Sequence, residues 1–312
     1  MENKKVMILG ATGSIGKRLY RSLKEKGYKI YVASRNIEGA KQLLPDAEAY
    51  FEYNMLKPDD LSEFINGIGA VVNLAGAPIF AHWKGGYERE VVDSRVKGTS
   101  YVVEAIEKCE KKPEVLINGS AAGIYGYSEN VAADENSPAG KDFWGQLVLA
   151  WEKEAYRAEN LGVRVVTVRT TLVLEKGEGA LDALVPYFKK GIGGYVRPGN
   201  QLFPWIHMED EIGIITSVME DSSFKGPINC VGGNCTSRAF SESIGKALNK
   251  RAGLPIPGFV IKFLFGRASD LVLKSQSIKS EKIESIGYGI KFADINAAME
   301  DILKTEKERE SQ

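Results

Sequence analysis

The sequence predicts an α/β protein, a doubly wound parallel sheet with a smaller, mostly helical region toward the C-terminus. Three observations carry this. Val6-Met7-Ile8-Leu9 is an unbroken apolar run, as a strand buried on both faces requires. Gly10-Ala11-Thr12-Gly13-Ser14-Ile15-Gly16 follows at once and opens a stretch with helical spacing, with Ile15, Leu19 and Leu23 on one face. Strand-like and helix-like stretches then alternate as far as Val168.

The glycine turn sits between strand and helix, the order that binds a dinucleotide pyrophosphate. Gly10 allows the tight turn, Gly13 lets backbone approach phosphate, and Gly16 lets helix pack on strand. With Thr12, Ser14 and Ile15 they form the candidate cradle, in which free N–H groups at the helix start face the anion. The spacing is G-x-x-G-x-x-G rather than G-x-G-x-x-G.

Gly27 ends the first helix, and Tyr28 to Ala33 reads as a second strand. It runs into Ser34-Arg35, where an acidic residue would suit the ribose of NAD. An arginine suits the 2′-phosphate of NADP, so the expected cofactor is NADP(H). Ala47 to Tyr53 reads as a strand and Asp60 to Ile65 as a helix. Ala70 to Gly76 reads as a buried strand ending in small residues that leave room for a cofactor. Tyr87 to Lys108 is a long helix, Val115 to Asn118 a strand, Asp142 to Glu159 mostly helix, and Val163 to Val168 a strand. Beyond Leu174 the pattern loosens. Leu181 to Lys190 is helical, Phe203 to Asp210 is an aromatic-rich stretch before another helix, and Pro227 to Val231 is a late strand rejoining the sheet. The expected division is a cofactor domain over 1–175, substrate-side loops and helices over 176–254, and a small helical domain over 255–305.

The chain has 312 residues, 44% hydrophobic and 26% charged, as a globular protein does. Its net charge of zero argues against general nucleic-acid or acidic-membrane binding. Three scattered cysteines suggest a reducing compartment, and with two histidines they predict no metal site. The N-terminus leads straight into the first strand, which predicts no secretory leader, and no apolar run approaches the roughly 20 residues of a membrane helix. A cytoplasmic protein with a small-molecule substrate is expected, its oligomeric state open. Phe259 to Leu273 is apolar enough to invite a membrane-surface reading, but its Phe259, Val260, Phe263, Leu264, Leu271 and Val272 are expected to pack on the main domain. The charged tail from Lys304 is expected to fray.

These residues resemble the extended short-chain dehydrogenase/reductases of Rossmann type, in the atypical epimerase-like branch filed as nucleoside-diphosphate-sugar epimerases. The matching pieces are Gly10 to Gly16, Asn73-Leu74-Ala75-Gly76, Trp83, Ser94-Arg95, Ser120 to Gly126, Trp151-Glu152, Arg169 to Leu174, and Pro204 to His207 with Glu209-Asp210. Pro255 to Leu303 resembles the branch's small C-terminal domain of unassigned function. The resemblance implies NADP(H) over the strand ends. Ser34 and Arg35 would hold the 2′-phosphate, Leu74, Ala75 and Gly76 would line the cofactor, and Glu90 and Arg95 would reach it from the long helix. Many members carry Glu directly after Asn-Leu-Ala-Gly and a basic residue before the Trp. Ala77 and His82 stand there instead, so no contact is carried over to either.

Relatives of this type move protons with a Tyr whose pKa is lowered by a Lys four residues on. Aligned on Glu152, those positions hold Trp144 and Val148, which transfer no proton. Ser120 remains at the oxyanion-stabilising position, or serves as a strand-end cap. Tyr125 is a second candidate proton donor, or is structural. Trp83, Trp144, Trp205 and His207 are candidates for the substrate pocket. For His207 the alternative is a loop pin against Asp210, and for Trp205 and Phe203 it is core packing. Arg169 and Glu152 are expected to pair. Two readings remain: an NADP(H)-dependent oxidoreductase or epimerase-like enzyme, and an NADP(H)-binding sensor or partner-binding protein without turnover.

Overall fold

The computed structural model describes residues 3–56, 60–79, 81, 83, 85–127 and 131–304. His82 and the tail beyond Lys304 lie outside them. The first half is built from β1 (Lys5–Leu9), α1 (Ser14–Glu25), β2 (Lys29–Ser34), α2 (Ile37–Leu43), β3 (Ala49–Glu52), α3 (Ser62–Ile65), β4 (Ala70–Asn73), α4 (Tyr87–Lys108), β5 (Val115–Ala121), α5 (Phe143–Tyr156) and β6 (Arg164–Thr170). The long helix has the bounds its spacing predicts. β5 and β6 each run further than their apolar cores, because Ser120 and Arg169 continue the ladder with buried side chains.

The second half comprises β7 (Leu172–Leu174), α6 (Gly179–Lys189), β8 (Gly194–Val196), β9 (Leu202–His207), α7 (Met208–Glu220), β10 (Gly226–Cys230), β11 (Gly233–Thr236), α8 (Ser237–Ala247), β12 (Leu254–Ile256), α9 (Gly258–Phe265), α10 (Asp270–Leu273) and α11 (Ile295–Leu303). The aromatic stretch from Phe203 is a strand, not a loop. β9 lies between β11 and β7 in a three-stranded sheet, and Pro204 falls before the part paired with β7, where its missing N–H does not interrupt that ladder.

The main sheet has seven strands, all parallel, in the order β10-β6-β5-β4-β1-β2-β3. Chain order reverses at β1, which lies between β4 and β2. Ligands of such sheets sit outside the strand C-termini at this switch point. One face is covered by α1 and α7, with Leu19, Leu23, Ile214 and Val218 packed on Val6, Ile8, Val72 and Val168. The other is covered by α3, α4 and α5, with Val102, Ile106 and Ala155 on Met7, Leu9, Val71 and Leu116. A third cluster joins α6, β9, α8 and α11 around Trp205 and Phe188. Phe265, Ala268 and Leu271 pack on a fourth, at the starts of α4 and α5. Phe259 and Phe263 do not follow them inward: they are 72% and 88% exposed. No helix among the described residues is long and apolar enough to cross a membrane.

Candidate cofactor and substrate site

The turn after β1 is shaped by two of its glycines. Gly10 has φ +82, and a Cβ there would lie 2.8 Å from the Leu74 carbonyl carbon. A Cβ on Gly16 would lie 2.3 Å from the Gly10 oxygen, so only glycine lets α1 start this close to the turn. Gly13 N–H donates to Gly10 O at 3.0 Å. No side chain caps α1, and the Ser14, Ile15 and Gly16 N–H groups have no backbone acceptor outside the helix among the described residues. These N–H groups at the positive end of a helix suit a phosphate.

Leu9 pairs in register with Ala33 on one side and Asn73 on the other, so Ser34 and Leu74 flank the turn. Ser34 Oγ accepts the Asn36 N–H at 3.2 Å, and Asn36 caps α2 through the Gly39 N–H at 2.9 Å. Between them Arg35 is exposed, with no ion pair among the described residues.

On the other flank, Leu74 N–H donates to Leu9 O at 2.9 Å. Asn73 Oδ1 accepts the Ala75 N–H at 3.4 Å, and Asn73 Nδ2 donates to Asn118 Oδ1 at 2.8 Å. Ser94 and Arg95 hold the next residue: Ala77 N–H donates to Ser94 Oγ at 3.0 Å, and Arg95 Nη1 donates to Ala77 O at 3.1 Å. Arg95 is buried, lies 5.3 Å over the Trp151 ring, and has no carboxylate partner among the described residues. Burial brings its pKa down to about 10, so it stays charged at neutral pH. A side chain on Gly76 would come within 3.3 Å of that guanidinium. Glu90, one helical turn toward the start of α4, borders a cleft of about 310 Å³ with Met55, Gly86 and Tyr101. The turn, the free Arg35 and the unpaired Arg95 therefore fit a dinucleotide carrying extra phosphate.

Farther along the sheet, the expected pair is present, as part of a buried network. Arg169 meets Glu152 twice, at 2.8 and 2.9 Å. Ser120 Oγ donates to Glu152 Oε1 at 2.6 Å. Arg169 Nη1 donates to the Tyr125 oxygen at 2.6 Å, and Tyr125 O–H donates to Asn229 Oδ1 at 2.7 Å. Glu135 closes the network, accepting the Asn229 N–H at 3.0 Å and the Ser280 hydroxyl. Burial, only partly offset by Arg169, pushes Tyr125 up to about 12. The two candidate catalytic hydroxyls are thus committed: Ser120 donates its hydrogen bond to Glu152 and Tyr125 to Asn229. Asn229 and Glu135, which complete this network, carry no sequence signal of their own, because β10 and the loop holding Glu135 meet only in the fold.

The four pocket candidates separate. Trp83 and Trp144 meet, with ring centroids 5.5 Å apart, in the aromatic cluster with Phe143 and Tyr87. Trp83 Nε1 donates to Ile79 O at 2.8 Å, whereas Trp144 Nε1 is buried without a partner among the described residues. Trp205 and His207 lie elsewhere, facing the third cluster and not a cleft. Trp205 is 1% exposed. His207 Nδ1 caps α7 by accepting the Glu209 N–H at 3.1 Å, and its ring stacks on Phe292. Its Nε2 lies 3.4 Å from Asp301, too poorly aligned for a hydrogen bond. Asp210 is not its partner; that carboxylate is taken by Tyr288 and by the Lys291 and Phe292 N–H groups. Burial lowers the His207 pKa. No group of three or more potential metal ligands occurs among the described residues.

Fold and turn together define a Rossmann-type protein of the extended short-chain reductase kind. The chain belongs to the NAD dependent epimerase/dehydratase family, which residues 6–231 match, and residues 256–302 match a domain of unknown function, DUF1731. The chloroplastic epimerase family protein SDR39U1 homolog of Arabidopsis thaliana is 34% identical over 302 residues, covering 96% of this chain and 86% of the relative. A crystal structure of human epimerase family protein SDR39U1 with NADPH is similar at TM-score 0.86 and 31% identity, covering 96% of this chain and 99% of the human one. A UDP-glucuronic acid 4-epimerase from Bacillus cereus shares the fold alone, at TM-score 0.79 and 18% identity, with 96% and 98% covered.

Proposed function

We propose that the chain binds NADP(H) and uses it as an oxidoreductase on a small carbonyl or carbinol compound. The observation that carries this reading is the uncapped start of α1 at the switch point, with the unpaired Arg35 one strand away. Gly10 to Gly16 hold the pyrophosphate, Ser34 and Arg35 the 2′-phosphate. Leu74 to Gly76 form the wall, and Glu90 and Arg95 approach from α4. The NADPH in the human relative's structure supports the same assignment. Bound there, the cofactor supplies a hydride.

The chain supplies position and one donor. The buried Trp144 N–H, which has no partner among the described residues, is the group suited to hold a substrate oxygen. Trp144 and Val148 offer no base, so a proton reaches the product from water. The three free, buried cysteines fit a reducing compartment such as the cytoplasm.

The commitment of the Ser120 and Tyr125 hydroxyls favours a second reading, a cofactor-binding sensor without turnover. The test is NADPH absorbance over a panel of aldehydes and ketones, for the native chain and Trp144→Phe. The enzyme reading expects oxidation with at least one compound, slowed about tenfold in the variant with cofactor affinity kept, the loss of one hydrogen bond. Unchanged NADPH across the panel, with binding intact, leaves the sensor reading.

A further inference from the structure

The two longest stretches of this chain without a carboxylate lie side by side. No Asp or Glu stands between Asp182 and Glu209, or between Glu242 and Asp270. β8 and β12 join these stretches, pairing Leu254 with Gly194 and Ile256 with Val196, and Gly253 N–H reaches Gly193 O at 3.4 Å. Six basic residues stand exposed on them: Lys189, Lys190, Arg197, Lys250, Arg251 and Lys262. None has an ion pair among the described residues. The same stretches carry Tyr187, Ile192, Leu254, Phe259 and Phe263, each more than half exposed. Phe259 and Phe263, four residues apart, project from one face of α9. The helix is anchored from its other side by Ile261 and Phe265.

We infer that this face docks on an anionic lipid surface. Phe259 and Phe263 enter the headgroup boundary, and the lysines and arginines around them meet acidic headgroups, the pairing by which proteins lie on a membrane without crossing it. Net charge does not reveal such a face. The 41 basic and 41 acidic residues cancel over the whole chain and not within these two stretches, which carboxylates from elsewhere reach at Lys246, paired with Glu300, and at Arg267, paired with Glu88. The charge also argues against a second copy as the occupant, because a two-fold contact here would set the same basic residues against one another. A nucleic acid would engage the charge but gives Ile192 and Leu254 nothing to stack on. The inference is independent of the cofactor site.

The test is sedimentation of the full chain with vesicles of phosphatidylcholine alone and of phosphatidylcholine with about one third phosphatidylglycerol. The native chain is expected to bind the acidic vesicles at least about tenfold better. Phe259→Ser/Phe263→Ser and Lys189→Glu/Lys190→Glu should each remove most of that binding. All four side chains are exposed, so unfolding temperatures should stay native and separate lost binding from misfolding. Four outcomes overturn the inference: no binding to either vesicle, equal binding to both, binding that survives both double variants, or a dimer that the phenylalanine variant dissociates. Binding of a single-stranded oligonucleotide without vesicle binding assigns the face to nucleic acid instead.

Discussion

Glu211 shows how much one buried residue can hold. It stands fully buried in the first turn of α7 and accepts the Thr170 hydroxyl at 2.7 Å. Burial raises its pKa from 4.5 to about 7, against the opposing bonds from Thr170 and Cys230. The folded state therefore keeps this proton at pH values where the unfolded chain has released it. Stability from this group is complete below about pH 4.5 and falls as pH rises toward 7. Glu211→Gln removes the titration. Chemical denaturation should show the variant gaining on the native chain across that window, by on the order of 3 kcal/mol at pH 8. A constant difference from pH 5 to 8 would contradict the assignment. In the sequence, Glu209-Asp210 stands out as the acidic pair after Pro204 to His207, and Glu211 follows it without a signal of its own. Only the packing of α7 on β6 and β10 singles Glu211 out.

The network around Arg169 acts between elements. It ties β5 through Ser120, α5 through Glu152, β6 through Arg169 and β10 through Asn229. Burial alone would lower the Arg169 pKa, and Glu152 more than reverses that, so Arg169 stays charged. Arg169→Met leaves Glu152 buried and unpaired, a loss of about 3–5 kcal/mol. Adding Glu152→Gln should restore most of it, and thermal unfolding of the single and double variants checks this. Equal instability in both would mean that the arginine acts by packing alone. The pair itself was legible from the sequence, since Trp151-Glu152 and Arg169-Thr170 carry the family pattern. That Ser120 and Tyr125 spend their hydrogen bonds inside this network was not legible. Spacing places a hydroxyl near a site and says nothing of which acceptor it meets.

At the scale of the whole molecule, the parallel sheet and its switch point followed from alternating apolar runs, because strands buried on both faces cannot be polar. The glycine turn was equally legible, since Gly10 and Gly16 act through backbone shape within a few residues of a strand end. The second half was less so. β9 holds a proline and short partners, and Trp205 and His207 look like pocket residues until α11 and Phe292 cover them. Phe259 and Phe263 stay outside, which an apolar run alone does not reveal.

The account rests most on the nucleotide. The decisive measurement is the dissociation constants of NADPH and NADH, by nicotinamide fluorescence, for the native chain and for Arg35→Ala. The native chain should prefer NADPH by about tenfold or more, the worth of one exposed charge-assisted contact to the 2′-phosphate. Arg35→Ala should lose that preference while keeping its NADH affinity. Equal affinities in the native chain, or no binding of either nucleotide, would contradict the account and leave the glycine turn a structural feature only.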